Sequence, residues 1–210
     1  MKEEKPKYTS ESIHSLESRD HVRMRPQMYF KKVYTEKSLD RLPLETACHA
    51  FDEVMDNNCN YLKITLYSDY FSIEYDAGMS LKPIYGNDNK THAETIMTTI
   101  GACHNQKKHL AVGDEFCELG MMTINAASEW CKLITYSNGE KGEFLFKEGK
   151  TEARTICGSD EKKNYTKITV KPDATIFPDL KINPITLQEK IDVLRKKFVG
   201  LDIQLHMNTN

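Results

Sequence analysis

Between Pro43 and Met55 the apolar residues Leu44, Ala47, Cys48, Phe51, Val54 and Met55 recur every three or four positions, which predicts a helix with one buried stripe. Pro43 suits the first turn of that helix, where a missing N–H leaves no bond unmade. At about 100° per residue, Glu53 and Asn57 fall together on the face opposite the stripe, an acid beside an amide. The pattern then changes to period two. Residues 62–67 and 71–75 alternate apolar and polar side chains, which predicts two half-buried strands joined at Ser68-Asp69-Tyr70.

Helical spacing returns at Ala93, Ile96, Met97 and Ile100, behind a capping box formed by Thr91 and Glu94. Residues 101–119 read as a loop rich in His, Lys and acids, and a short helix follows Gly120. Residues 131–137, 143–147, 152–157 and 165–171 predict a strand meander, with Asn138-Gly139 at a hairpin turn. A second capping box, Thr186 to Glu189, opens a helix carrying Leu187, Ile191, Leu194 and Phe198, and residues 203–207 make a last strand. This order is not an alternating βαβ series. It predicts an α/β two-layer sandwich, a mixed sheet with helices on one face, over residues 15–210, preceded by a polar arm at 1–14.

Composition narrows the function classes. A net charge of −2, with its lysine pairs scattered, argues against direct DNA binding and against a charged membrane surface. No apolar run approaches the length that crosses a bilayer. The six cysteines contain no C-x-x-C pair and no apolar segment follows Met1, so the reading is of reduced thiols in a cytoplasmic protein.

Five segments together resemble one family. Arg23-Met24-Arg25-Pro26-Gln27-Met28-Tyr29, within 12–30, is similar to the entry segment of the DNA gyrase B subunit and its topoisomerase IV counterpart. FDEVMDNN (51–58) resembles the family's Glu-x-x-Asp-Asn helix. Residues 93–102 and 120–128 resemble the helices before and after its ATP lid, and 165–177 its later strand with a Pro-Asp-x-x-x-Phe run. Their order and spacing identify the chain with the GHKL, or Bergerat-fold, ATPases of the type IIA topoisomerase branch.

The resemblance implies ATP and Mg²⁺ as cofactors. It puts Glu53 at the general base for the attacking water and Asn57 at the Mg²⁺ ligand. It puts Thr166 beside an adenine-binding Asp, and nucleotide contacts at Gly78, Ile96 and Gly120. Tyr8 and Ile13 match arm residues that reach a second subunit's nucleotide, which implies a homodimer through the arm or a gyrase-type partner. The adenine Asp has two registers. An ungapped hairpin places Asp76 there, while the alternation Phe71-Ile73-Tyr75 slips the strand by one and places Tyr75 there. The need for a carboxylate acceptor favours Asp76.

The lid departs from the family. Where the family has Gly-Gly-x-x-Gly-x-Gly, this chain reads Asp114-Glu115-Phe116-Cys117-Glu118-Leu119-Gly120, and only the last glycine is kept. Glycines there let backbone N–H groups approach phosphate, and Asp114, Glu115 and Glu118 add repulsion. The resemblance also stops before the family's transducer and DNA-cleavage domains, so the expectation is a weak ATPase domain, not a topoisomerase. The alternative is a pseudo-ATPase that modulates a gyrase-type partner. Cys103, His104, His109 and Cys117 have metal-ligand chemistry but match no standard zinc spacing.

Overall fold

A computed structural model describes residues 16–84, 86–102, 111, 113 and 116–208. Its elements run α1 (Ser18–Met24), α2 (Pro26–Tyr29), α3 (Lys31–Glu36), α4 (Arg41–Thr46), α5 (Cys48–Met55), β1 (Tyr61–Leu66) and β2 (Phe71–Tyr75). Then come β3 (Pro83–Ile84), β4 (Asn87–Thr91), α6 (His92–Thr98), α7 (Met121–Ala126), β5 (Ser128–Ser137) and β6 (Glu140–Lys147). The chain closes with β7 (Lys150–Gly158), β8 (Tyr165–Pro172), α8 (Pro184–Lys197) and β9 (Asp202–Met207).

Among the described residues, seven strands form one sheet in the order β7-β6-β5-β8-β2-β1-β9. Every pair is antiparallel except β1 with β9. The strand alternation predicted from the sequence decides which face is apolar. Leu62, Ile64, Phe71, Ile73, Ile168, Val170, Leu133 and Phe144 join the buried sides of the helices in one core. The opposite face carries Lys63, Glu74 and Lys167, where Glu74 lies 3.1 and 3.2 Å from the two lysines. Asn138 and Gly139 turn the β5–β6 hairpin with φ of 53° and 78°, the two-residue geometry their residue types favour. This is the mixed α/β sandwich expected from the element order.

Two local expectations are corrected. The helix predicted from Pro43 is two helices, because Ala47 leaves helical geometry between α4 and α5. Just before that break the Thr46 hydroxyl bonds the Leu42 carbonyl at 2.7 Å, a contact that loosens helices. The second correction concerns α8. Its N-cap is Asn183, whose side chain accepts from the Ile185 N–H, and Thr186 instead donates to Asp40. The first capping box does form: the Thr91 hydroxyl accepts from the Glu94 N–H at 3.1 Å.

Candidate functional site

Arg41, Thr46 and Asp52 are among the buried polar residues of α4 and α5, and three others are spaced four apart. Glu45, His49 and Glu53 are each at most 5% exposed and share one side of the α4–α5 unit. Glu53 is therefore a buried group, not part of a solvated helix back. Its Oε2 accepts from Asn58 Nδ2 at 3.0 Å, and its Oε1 lies 3.6 Å from His49 Nε2.

Asn57 does not stand beside Glu53 on the helix. α5 ends at Met55, and Asn57 sits past the cap at φ 59°, exposed. The physical reason is the short link to β1. Strand pairing begins at Tyr61, so the chain turns at once, and Asn tolerates the left-handed geometry this turn requires. The Asn58 N–H closes the turn on the Glu53 carbonyl at 2.8 Å.

The β2 register is the slipped one. Tyr75 pairs with Leu62 on β1 and Thr166 on β8, and Thr166 pairs with Thr135 on β5. These four side chains form one row on the core face, so Tyr75 and not Asp76 lies beside Thr166. Asp76 turns away: its Oδ1 accepts from the Asn60 and Tyr61 N–H groups, each at 3.0 Å. The favoured Asp76 register is thus corrected, for the reason that strand alternation outweighs one residue's chemistry. Putting Phe71, Ile73 and Tyr75 into the core buries three large apolar groups at once.

The row is sealed. Tyr75 is 0% exposed, and its hydroxyl lies 3.0 Å from His49 Nδ1. Burial pushes its phenol well above the usual range. The Thr166 hydroxyl donates to the Ala77 carbonyl at 2.7 Å and lies 3.0 Å from the Thr135 hydroxyl. That hydroxyl accepts from the Met79 N–H at 2.8 Å. The loop after β2 is thereby tied down over the hydroxyls. Gly78 sits within this closure, where a Cβ would come within 2.2 Å of the Tyr136 carbonyl oxygen. Gly78 is required by packing against β5. Ile96 of α6 lies in the same core.

At the other end of α4, Glu45 Oε2 accepts from two successive N–H groups, Glu118 at 2.7 Å and Leu119 at 2.8 Å. Burial raises its carboxyl to about 7, against the lowering effect of those N–H groups and of Arg41, with Glu118 adding to the rise. Glu118 itself reaches Lys32 at 3.1 Å. Gly120 follows at φ 76°, a left-handed position before α7. A buried acid with a raised pKa lowers stability as it ionises. The Glu45 contribution is fully favourable below its unfolded value of 4.5 and is lost as pH rises through about 7. Glu45→Gln should therefore gain on the wild type by about 3 kcal/mol between pH 5 and pH 8, read from denaturant midpoints at each pH.

Glu45 did not stand out in the sequence, although a signal was present. A frame eight residues before Glu53 reads Glu45-Thr46-Ala47-Cys48-His49. It keeps the Glu of Glu-x-x-Asp-Asn and exchanges Asp-Asn for Cys-His. This frame, unlike the later one, has its first residue against the loop before Gly120 and its last beside β2. Tyr8, Ile13, Asp114 and Glu115 lie outside the described residues, as do Cys103, His104 and His109. Cys117 is buried, with its thiol 3.8 Å from the Leu44 carbonyl. Among the described residues no group of three or more His, Cys, Asp or Glu is placed to hold a metal. No described helix is long and apolar enough to cross a membrane.

No protein-family model matches the chain. Individual relatives do. The DNA gyrase B subunit of Thermotoga maritima is 25% identical over 206 residues, covering 97% of this chain and 32% of that protein. The type 2 topoisomerase B subunit of Aquifex aeolicus is 28% identical over 192 residues, covering 90% and 23%. The DNA topoisomerase 4 B subunit of Staphylococcus aureus is 30% identical over 174 residues, covering 81% and 26%. The chain thus spans about a quarter to a third of the length of these relatives. Among solved structures, the 43K ATPase domain of Thermus thermophilus gyrase B, in complex with an aminocoumarin, superposes with a TM-score of 0.72. It shares 22% identity over 90% of this chain and 48% of that one.

Proposed function

Because the chain is homologous to the B subunits of DNA gyrase and topoisomerase IV and carries the fold of their ATPase domain, we propose that it is a pseudo-ATPase module that works by docking on a gyrase-type partner. The homology supports an ATP-binding GHKL domain as the type. The side chains of this copy do not fit ATP and Mg²⁺.

One observation carries the reading. Tyr75 fills the place beside Thr166 where the family's carboxylate would meet adenine, and it is fully buried against His49. A pocket open to a purine would leave its lining accessible, whereas Tyr75, Thr166, Thr135 and Met79 are all at 0%. The metal side agrees. Asn57 is off the helix, and in the earlier frame the amide ligand is a His already engaged with Tyr75 and Glu53.

A ligand of the native state raises its melting temperature. Millimolar ATP with Mg²⁺ should shift this protein's melting temperature by less than about 1 °C, since binding at a tenth saturation or less adds under about 0.1 kcal/mol. A dose-dependent rise of several degrees would overturn the reading. The docking half is tested separately: affinity-tagged protein should recover a gyrase or topoisomerase IV component, with or without ATP, and recovery of neither counts against it.

A second reading has its own support. Glu45, with its carboxyl near neutrality, has the acidity of a general base, which suits weak residual hydrolysis. That reading requires ATP-dependent stabilisation together with phosphate release that Glu45→Gln abolishes.

A further inference from the structure

A cavity of about 450 Å³ opens at the Phe71 end of β2, between the β1–β2 turn, the end of β8 and the segment that leads to α8. The length of β2, about 13 Å from Phe71 to Tyr75, separates it from the Tyr75 row. Its floor is apolar: Leu39, Leu66, Phe71 and Phe177 are buried beneath it. Tyr67 and Tyr70 form a wall, ring on ring at 4.2 Å and 13°. At the rim, Lys171 of β8 reaches Asp69 on the turn at 3.3 Å and Glu129 of β5 at 3.0 Å. An apolar floor with a few polar groups at its edge, in this volume, is the make-up of a small-molecule site. The walls are tied down by the protein itself. The Tyr67 N–H closes the turn on the Tyr70 carbonyl at 3.0 Å, and the Leu39 N–H bonds the Lys181 carbonyl at 3.0 Å. Asp173 also lines the cavity, but its carboxylate is already engaged by Arg23 and Thr175.

We propose that this cavity binds a planar aromatic cation, with its ring against the Tyr67–Tyr70 pair and its charge beside Asp69 and Glu129. Charge selects the sign. Asp69 and Glu129 share one ammonium, so this rim keeps an excess of one negative charge. Their side chains are 58% and 50% exposed, which leaves carboxylate lone pairs open to a second cation. The faces of tyrosine rings are the negative side of the aromatic quadrupole, so Tyr67 and Tyr70 attract the same sign of charge. An anion would meet the carboxylate excess instead. Lys181 stands at the Leu39 end of the cavity with its side chain exposed, where water and salt screen it. The flat apolar floor and the aromatic wall select the ring.

The chain carries its own reporter. Trp130, its single tryptophan, lies 5.7 Å from Tyr70. Thioflavin T, a planar benzothiazole cation, is titrated into the whole protein at fixed ionic strength while Trp130 emission is followed. Anilinonaphthalene sulfonate, an aromatic anion, is titrated in parallel. The expected result is saturable quenching by thioflavin T, with an affinity about tenfold above that of the sulfonate. Lys171→Met leaves both carboxylates to the ligand and should tighten thioflavin T about threefold, whereas Asp69→Asn should loosen it about threefold. Tyr67→Ala should loosen it about tenfold. The two charge variants lie at the rim and leave the floor intact, so opposite effects from them cannot come from misfolding. Absence of saturable quenching overturns the proposal, as does equal affinity for the two dyes. So does a Lys171→Met protein that binds thioflavin T no more tightly than the wild type. Displacement of the dye by ATP with Mg²⁺ would also overturn it, by joining this cavity to the nucleotide site. The ATP melting test can succeed or fail without changing this result, since Leu62, Tyr75, Thr166 and Thr135 do not line the cavity.

Discussion

Tyr75→Ala should cost about 3–5 kcal/mol of folding stability, the largest single effect expected in this chain. The ring is fully buried in the core row between Leu62 and Thr166, so its removal leaves a cavity that neighbouring strands, fixed by their ladders, close only in part. His49 Nδ1 also loses its partner. Tyr75→Phe separates the two terms: it keeps the packing, loses the hydroxyl, and should cost only about 1–2 kcal/mol. Urea denaturation of the three proteins measures both. The same variants test the functional argument. If Tyr75 occupies the place of a purine, Tyr75→Ala and not the wild type should be stabilised by millimolar adenine, as engineered cavities accept ligands of their own shape. Equal behaviour of the two proteins toward adenine would detach Tyr75 from the nucleotide site.

Arg23→Ala should cost about 2–4 kcal/mol, because it breaks a largely buried ion pair and frees a backbone acceptor at the same time. Arg23 Nη2 reaches Asp173 Oδ2 at 2.6 Å and Nη1 reaches the Ala126 carbonyl at 2.9 Å, so one guanidinium ties α1 to the end of α7 and to the segment after β8. Asp173 is further held by the Thr175 N–H at 2.8 Å and hydroxyl at 2.7 Å. Burial would raise the Asp173 carboxyl, but the hydrogen bonds from Thr175 and Arg23 outweigh it and hold the group below its usual value. An acid lowered in the fold adds stability above its unfolded pKa of 3.8 and loses it as pH falls through the folded value. The wild type should therefore lose stability below pH 4 more steeply than Arg23→Ala, in paired thermal melts from pH 6 to pH 2. Arg23→Lys should not restore the loss, since an ammonium lacks the fork that reaches both acceptors.

These two residues show how far the chain could be read in one dimension. The run Arg23-Met24-Arg25-Pro26 and the run Pro172-Asp173 were both visible as motifs. That one binds the other across 150 positions is a property of the folded chain alone. The hairpin of β1 and β2, the meander of β5, β6 and β7 and the cap of α6 followed from alternation and turn chemistry, because those forces act between neighbours in sequence, whereas β8, expected to continue the meander, crosses back to pair with β5 and β2. The extent of α5 did not follow. Helical periodicity runs on through Asn57, and only the demand that Tyr61 pair with Asp202 ends the helix at Met55.

By itself, then, the sequence determined the resemblance to gyrase B and topoisomerase IV B subunits, the layered α/β architecture and both candidate registers of β2, since each depends on local pattern and motif order. The tertiary structure decided between Tyr75 and Asp76, placed Glu45 against the loop before Gly120, and took Asn57 off the helix. For Asn57 the reason is the early start of strand pairing at Tyr61, and for the β2 register it is burial. Which side chain enters a core is settled by the summed burial of a whole face, and a single polar residue with suitable chemistry does not override three apolar ones beside it.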